Sequence, residues 1–331
     1  MGIRIKPPTE GVGLIKIRRN MAGEIDLSVE FAGLKLANPV WTASGTCGYA
    51  DELNDFMDVG KLGGFVTKSV TLLPRDGNPV PRIVETDSGM LNAIGLANVG
   101  VNKFIEEKIP LIEKLSCAVF VNIAGETIED YVAVAQKLCG QKAIAGFELN
   151  ISCPNVKHGG ITFGTEPEVV KEITSAVKAA CGGKVLMVKL TPNVTDIAVT
   201  ARAAVDGGAD ALSLINTFTA MVIDIESRKA VLTNRTGGLS GPAIKPIAVY
   251  MVNRVYSEVT KGTKVPILGM GGIRTATDAV EFLLAGASAV AIGTANFIEP
   301  DSAMKIIEGI KKFCESHQIA AVRDLTGALE G

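Results

Sequence analysis

Eight short apolar segments, most of them followed by a helical pattern, predict an α/β fold that closes into a (β/α)8 barrel, the TIM barrel. Two further observations favour this fold. Polar side chains recur where the apolar segments end, and glycine turns lead repeatedly from a helical pattern into the next segment. The main alternative is a doubly wound open sheet, which would need a Gly-x-Gly-x-x-Gly turn after its first strand. Ser44-Gly45-Thr46-Cys47-Gly48 does not supply that turn.

The predicted elements follow one another along a single domain. Residues 1–24 are expected to form an N-terminal extension and residues 25–331 the barrel domain. The stretch from Asp26 to Leu36 alternates in hydrophobicity around a glycine turn, which predicts an N-terminal β-hairpin. The eight barrel strands are predicted at Val40–Ala43, Gly64–Lys68, Ala118–Ile123, Gly146–Ile151, Val185–Leu190, Ala211–Asn216, Pro266–Met270 and Ala289–Gly293.

Helix boundaries are marked by capping signals between these strands. Thr127, Thr165 and Thr275 are each followed three residues later by an acidic residue, which predicts a capping box or its aspartate variant at three helix starts. Gly208 and Gly286 each precede a strand and predict helix ends. The repetition of this arrangement is typical of successive βα units.

Composition argues against several classes of protein. The 331-residue chain is 47% hydrophobic with 36 glycines, and its net charge of −2 gives no sign of a nucleic-acid or membrane-surface partner. The longest uncharged run, Phe282 to Ile298, is interrupted by polar residues and is not expected to span a membrane. Six scattered cysteines include no Cys-x-x-Cys pair, which argues against a metal site and favours a reducing, cytoplasmic location.

Polar side chains are predicted at the carboxyl ends of the strands, where barrels of this type carry out their chemistry. Lys68 and Lys189 would reach over the barrel mouth, where a cation suits the N1–C2 edge of a reduced flavin. Asn122, Asn150 and Asn216 offer both donors and acceptors, as a pyrimidine requires.

Glycine clusters predict a phosphate site at the same end of the barrel. They lie after strand 7 at 269–272 and after strand 8 at 293–294, where backbone N–H groups can approach an anion closely. The segment 237–242 is predicted to open the helix after strand 6 and to add a helix N-terminus.

Cys153 is the candidate proton acceptor. It lies in Leu149-Asn150-Ile151-Ser152-Cys153-Pro154-Asn155, at the end of the fourth strand, and a thiolate can act as a base. The chain has two histidines, and His158 is the alternative base, whereas His317 is expected on a helix near the C-terminus. Gly159, Gly160 and Gly164 suggest that residues 152–164 form a lid.

Five spaced motifs, in order, resemble the class 1 dihydroorotate dehydrogenases over about Leu27 to Ile319, and most closely the NAD-linked (class 1B) catalytic subunits. The motifs are Thr71-Leu72-Leu73-Pro74-Arg75-x-Gly77-Asn78-Pro79, Gly89-Met90-Leu91-Asn92-Ala93-Ile94-Gly95-Leu96, the Cys153 motif, Lys189-Leu190-Thr191-Pro192 and Ile215-Asn216-Thr217.

The resemblance implies FMN-dependent oxidation of (S)-dihydroorotate to orotate in pyrimidine (UMP) biosynthesis. Cys153 would remove the C5 proton while hydride leaves C6 for the flavin N5. By motif, the substrate would be held by Lys68, Asn92, Ala93, Ile94, Gly95, Leu96, Asn150, Asn216 and Thr217. FMN would be held by Ser44, Lys68, Ser69, Asn122, Asn150, Lys189, Ile215, Gly241, Gly271, Gly272, Gly293 and Thr294.

The NAD-linked branch further implies partners. A homodimer of this chain would pass electrons to a separate subunit that carries FAD and a [2Fe–2S] cluster, and from there to NAD. Three alternatives stay open at this point. They are a fumarate-linked dihydroorotate dehydrogenase, a dihydropyrimidine dehydrogenase-like subunit acting on uracil or thymine, and a phosphate-binding barrel without a flavin.

Overall fold

The computed structural model describes residues 25–152, 157–158 and 161–330, without the side chains of 157, 158, 161 and 162. The predicted extension 1–24, Cys153 and much of the predicted lid therefore lie outside the described residues. Within the described residues no helix is long and apolar enough to cross a membrane. The cytoplasmic location stays a prediction.

Eight parallel strands form a closed barrel, which confirms the predicted fold. Each predicted strand is present, and adjacent strands pair in chain order until the eighth closes onto the first. Barrel strands 1 to 8 are Val40–Thr42, Gly64–Val66, Ala118–Ile123, Gly146–Asn150, Val185–Lys189, Ala211–Leu214, Ile267–Met270 and Ala289–Ile292. Parallel pairing in chain order brings all eight carboxyl ends to one rim.

Helices surround the barrel on most connections. The α-helices are Gly100–Lys103, Ile109–Ile112, Ile128–Leu138, Pro167–Ala180, Ile197–Asp206, Lys245–Val255, Ala276–Ala285 and Ser302–Ser316, and π-helical turns at Phe104–Lys108 and Tyr256–Thr260 continue two of them. Strand 1 is followed by two short 3₁₀ turns instead, Leu53–Asp55 and Val59–Lys61. Further 3₁₀ turns lie at Pro242–Ile244, Thr294–Phe297 and Val322–Leu325.

The capping signals gave two correct helix starts and one error. Thr127 and Thr275 form capping boxes with Asp130 and Asp278, as predicted. The helix predicted to start at Thr165 instead begins at Pro167 with Glu166 as its N-cap. Proline is well suited to the first helical position, because its fixed φ fits the helix and its missing N–H would have no partner there.

Both predicted glycine helix ends have left-handed backbone. Gly286 is the C-cap of Ala276–Ala285 with φ +118°, and Gly208 has φ +95° one residue beyond the C-cap Gly207. Residues with a Cβ rarely adopt this conformation, so glycine is the natural choice at both turns.

Aromatic rings fill the barrel interior near the starts of the strands. The predicted hairpin is present, with Val29–Phe31 antiparallel to Leu34–Leu36. Its Phe31 ring lies 5.2 Å from Trp41, and Trp41 lies 5.1 Å from Phe120. A Cβ on Gly64 would lie 2.4 Å from the Trp41 ring, so the sequence leaves space for the indole at that position. The filled interior makes the opposite rim the open end.

A second sheet, which the sequence did not predict, covers part of the open rim. Ile83–Thr86 and Gly89–Asn92 come from the insertion after strand 2, and Phe218–Ala220 and Gly237–Ser240 come from the insertion after strand 6. Two shorter antiparallel pairs are Ile223–Asp224 with Lys229–Ala230, and Lys157–His158 with Ile161–Thr162.

The glycine-rich segment 237–242 therefore differs from its prediction. Most of it is a strand of the second sheet, where Gly238 pairs with Asn92. Only Gly241 and Pro242 open the helical segment after strand 6. A Cβ on Gly238 would lie 2.1 Å from the Thr217 hydroxyl oxygen, so close strand packing accounts for this glycine.

Candidate active site

A cavity of about 640 Å³ opens at the carboxyl ends of the barrel strands. Nearly all the residues predicted to bind substrate or cofactor line it, although they come from nine separate stretches of the chain. They are Ser44, Lys68, Ser69, Asn92, Ala93, Ile94, Gly95, Leu96, Asn150, Lys189, Ile215, Asn216, Thr217, Gly241, Gly271, Gly272, Gly293 and Thr294. Asn122 does not line the cavity, and Cys153 lies outside the described residues.

Lys189 forms the floor of the cavity together with the residues beneath it. Its Nζ donates to Ser44 Oγ at 2.9 Å and lies 3.5 Å from Glu148 Oε2. Asn122 Nδ2 donates to the same Glu148 oxygen at 2.6 Å, and Ser69 Oγ donates to Asn122 Oδ1 at 2.5 Å. Asn122 thus supports the floor from below instead of lining it, which explains its absence from the cavity wall.

Glu148 is a residue of this site that sequence reasoning missed. Its side chain is fully buried, and its second oxygen accepts a hydrogen bond from Ser213 Oγ at 2.9 Å. The sequence did contain a signal for it, because Glu148 is the single charged residue in the apolar strand Gly146–Asn150 and lies two positions before Asn150. In a strand, residues two apart share a face, so both side chains point into the barrel.

The ends of strands 4 and 6 meet at the cavity wall. Asn216 Nδ2 donates to Asn150 Oδ1 at 3.3 Å, and Tyr131 Oη fixes the strand 4 backbone by donating to Asn150 O at 2.9 Å. Ser152, which directly precedes Cys153, lines the cavity, and its Oγ donates to Lys189 O at 3.4 Å.

Asn193 is a second residue that sequence reasoning did not single out. It lines the cavity from the loop after strand 5, directly after the motif Lys189-Leu190-Thr191-Pro192. Its Nδ2 donates to Thr217 O at 3.0 Å, and its Oδ1 accepts from the Thr219 backbone N–H at 2.9 Å. It therefore fixes the chain beyond strand 6 next to Asn216.

The loop 92–96 also lines the cavity and has an unusual backbone. Gly95 and Leu96 both have left-handed φ values, +75° and +59°. Asn78 holds the loop, because its backbone N–H donates to Ile94 O at 3.0 Å and its Nδ2 donates to Ala93 O at 2.9 Å. Turns of this kind direct backbone N–H groups to one side and form concave anion sites. A Cβ on Gly95 would lie 2.7 Å from the Asn78 backbone nitrogen, so this loop requires glycine.

Glycines line a different part of the cavity, at the ends of strands 7 and 8. Gly271 and Gly272 have φ values of +129° and +82°, and a Cβ on Gly272 would lie 2.7 Å from Gly241 O. Thr294 Oγ1 donates to Ser240 Oγ at 2.8 Å and joins this region to the second sheet. Arg274, which sequence reasoning also missed, lines the cavity two residues beyond Gly272 and adds a positive charge. Backbone N–H groups, hydroxyls and a cation together suit a phosphate group.

The other cysteines that the structure describes do not compete with Cys153 as a base at the cavity. None of them lines it. Burial raises the pKa of Cys47 to about 11 and that of Cys181 to about 12, so both thiols stay protonated at neutral pH. His317 is exposed at the end of the last helix, stacked on Phe313, as predicted for a residue outside the site. The side chain of His158 lies outside the described residues.

Comparisons with known proteins agree with this architecture. A family model described as dihydroorotate dehydrogenase matches residues 26–314. A dihydroorotate dehydrogenase B (NAD(+)) catalytic subunit from Geotalea uraniireducens is 54% identical over 307 residues, covering 93% of this chain and 99% of the relative. The protein of the same name from Pelobacter propionicus is 55% identical over 305 residues, covering 92% and 99%.

A solved structure gives the same result for the fold. The dihydroorotate dehydrogenase of Eimeria tenella, in complex with ferulenol, superposes with a TM-score of 0.76 at 26% identity, covering 92% of this chain and 88% of that one. The family match extends over nearly the whole barrel domain and includes the strands that shape the cavity. This chain therefore belongs to the dihydroorotate dehydrogenase family.

Proposed function

We propose that this protein oxidises (S)-dihydroorotate to orotate in pyrimidine biosynthesis, with FMN and substrate held together in the cavity. The observation that carries the proposal is the convergence of the predicted substrate and cofactor residues on that one cavity. The names of the curated relatives support the same reaction.

The residues present suit FMN. Gly241, Gly271, Gly272 and Thr294 would hold its phosphate, because the three glycines have positive φ values, which can direct backbone N–H groups at an anion, and Thr294 adds a hydroxyl. Lys189 would place its ammonium group at the flavin edge that becomes negative on reduction. Bound FMN would supply the hydride acceptor of the reaction.

Dihydroorotate has a carboxylate and a ring with alternating donors and acceptors, and the remaining wall offers a match for each. Lys68 and the left-handed turn at Gly95 and Leu96 would hold the carboxylate. Asn150 and Asn216 would pair with the ring amides. A uracil or thymine substrate lacks the carboxylate and would leave Lys68 and the turn at Gly95 and Leu96 without a partner. The dihydropyrimidine dehydrogenase alternative is therefore disfavoured.

Cys153 would be the proton acceptor. Its neighbour Ser152, the last described residue before it, lines the cavity. This assignment comes from the sequence motif around Cys153. None of the cysteines that the structure describes lines the cavity and could take this role.

The purified protein is expected to be yellow, with about one FMN per chain, and its flavin should bleach on anaerobic addition of dihydroorotate. Dihydrouracil, which lacks the carboxylate, serves as the matched control and should leave the flavin oxidised. Absorbance at the flavin maximum measures both. A colourless protein that does not take up added FMN would contradict the proposal, and bleaching by dihydrouracil alone would favour the pyrimidine alternative.

We infer that electrons leave this chain through a separate subunit that carries FAD and a [2Fe–2S] cluster, and that the barrel pairs as a homodimer. The relatives' names support a separate electron-transfer subunit, because each is a catalytic subunit of an NAD(+) enzyme. The FAD, the [2Fe–2S] cluster and the homodimer are implied by the class 1B resemblance. The chain also has no Cys-x-x-Cys pair and no dinucleotide-binding glycine turn.

The isolated chain is therefore expected to reduce dyes or oxygen with dihydroorotate but to give no measurable NADH until the partner subunit is added. NADH absorbance, with and without the partner, measures this dependence. Rapid NAD⁺ reduction by the chain alone would contradict the relay, and efficient fumarate reduction would place the chain in the fumarate-linked branch.

A further inference from the structure

We propose that Glu148 is a positioning residue whose negative charge lowers the reduction potential of the bound flavin by offsetting the charge of Lys189. The inference rests on the proposed FMN site and concerns a residue that sequence reasoning did not assign. The structure supports it through the contacts of Glu148, through its burial and through its place beneath the cavity floor.

Glu148 connects residues from several strands of the barrel. Its Oε2 accepts from Asn122 Nδ2 at 2.6 Å and lies 3.5 Å from Lys189 Nζ, and its Oε1 accepts from Ser213 Oγ at 2.9 Å. Lys189 in turn donates to Ser44 Oγ at 2.9 Å, at the cavity wall. The carboxylate is therefore one residue removed from the proposed flavin and acts on it through Lys189.

Water does not screen this ion pair. The side chain of Glu148 is fully buried, and that of Lys189 is 6% exposed. Charges in such surroundings interact more strongly and over longer distances than charges at the surface. A negative charge directly behind Lys189 thus reduces the positive potential that the lysine projects into the cavity.

Hydrogen bonding alone does not explain a carboxylate at this position. Asn122 and Ser213 both donate to Glu148. The amide oxygen of a glutamine could accept from Asn122 Nδ2 while its amide NH2 donates to Ser213 Oγ. A buried ion pair is expensive to desolvate and often adds little stability compared with neutral packing. The charge itself, acting on Lys189, is therefore the property that distinguishes glutamate from glutamine here.

The sign of the effect follows from the charge of the reduced flavin. A cation at its N1–C2 edge stabilises the anionic reduced form. Glu148→Gln leaves the ammonium group of Lys189 unopposed, so reduced FMN should bind more tightly relative to oxidised FMN. The ratio of the two affinities should rise by about tenfold or more, which corresponds to a midpoint potential about 30 mV more positive for a two-electron couple.

The experiment is a redox titration of the FMN-loaded protein against reference dyes, with wild type, Glu148→Gln and Ser213→Ala compared. Ser213→Ala is the matched control, because it removes a hydrogen bond from the same carboxylate without changing any charge. The midpoint potential should move to a more positive value in Glu148→Gln. In Ser213→Ala the ratio of the affinities for reduced and oxidised FMN should change by less than about threefold. An unchanged or more negative potential in Glu148→Gln would overturn the proposal.

A charge-neutral double variant keeps the test decisive if Glu148→Gln does not fold. Lys189→Gln alone should give a more negative potential, because the carboxylate remains without its cation. Lys189→Gln combined with Glu148→Gln contains no unpaired buried charge and should return the potential toward the wild-type value. Equal potentials in these two variants would overturn the proposal.

The same samples separate this inference from the proposed function. If wild type binds FMN and turns over dihydroorotate while Glu148→Gln keeps the wild-type potential, the function stands and the role of Glu148 is rejected. If wild type binds no FMN, the proposed function fails and this inference fails with it.

Discussion

Replacing Cys153 with alanine is expected to slow flavin reduction by dihydroorotate by about 10²–10⁴-fold while leaving FMN bound, because loss of a general base typically costs this much. The physical reason is that the C5 proton of the substrate would then have no acceptor, whereas the proposed phosphate and ring contacts of FMN come from other residues. Stopped-flow absorbance at the flavin maximum, under anaerobic conditions, measures the rate.

Cys139→Ala provides the matched control for this variant. Cys139 is the C-cap of the helix Ile128–Leu138, does not line the cavity, and should give wild-type rates when replaced. Cys153→Ser should react slowly at neutral pH and recover in part at high pH, because a hydroxyl loses its proton far less readily than a thiol does. A normal rate of flavin reduction in Cys153→Ala would show that another group, such as His158, accepts the proton.

Gly272→Ala is expected to weaken FMN binding by about 10- to 100-fold, the amount that one or two lost hydrogen bonds to a charged group represent. Gly272 has φ +82°, and an added Cβ would lie 2.7 Å from Gly241 O and 2.9 Å from Lys245 Cβ. Relief of these contacts requires the loops after strands 6 and 7 to move apart, and both loops belong to the proposed phosphate cradle. Fluorescence titration of the apoprotein with FMN measures the affinity.

Gly183→Ala separates this local effect from general backbone strain. Gly183 has almost the same φ, +84°, but a Cβ added there would have no atom within 4 Å, and the residue lies between a helix and strand 5, away from the cavity. Its replacement should lower stability slightly and leave FMN affinity unchanged. If the two variants bind FMN equally well, the glycine cradle is not the phosphate site.

Local patterns sufficed to predict most of the fold. The eight apolar segments became the eight barrel strands, and the capping boxes at Thr127 and Thr275 formed as predicted, because these features depend on neighbouring residues. The failed prediction at Thr165 is also local. The helix there begins with Pro167 at its first position, which makes Glu166 the N-cap in place of Thr165.

Local sequence patterns did not predict the second sheet. Asn92 and Gly238 pair across 146 positions, and neither Gly89–Asn92 nor Gly237–Ser240 carries an alternation strong enough to reveal its partner. Long-range pairing of short segments depends on the barrel that brings them together. Asn193 and Arg274 were missed for the same reason, since each lies in a loop whose position relative to the cavity is set by the folded barrel.

The sequence by itself determined the barrel, the family resemblance and the residues that face its open rim, because strand periodicity and the carboxyl ends of parallel strands follow from the order of residues. Only the tertiary structure decided how those residues divide between the cavity wall and the layer beneath it. Asn122 was placed below the floor, and Glu148, a single charge in an apolar strand, was brought within 3.5 Å of Lys189. Such contacts depend on the register and curvature of strands that are distant in sequence, and burial of an ion pair is a property of the closed barrel.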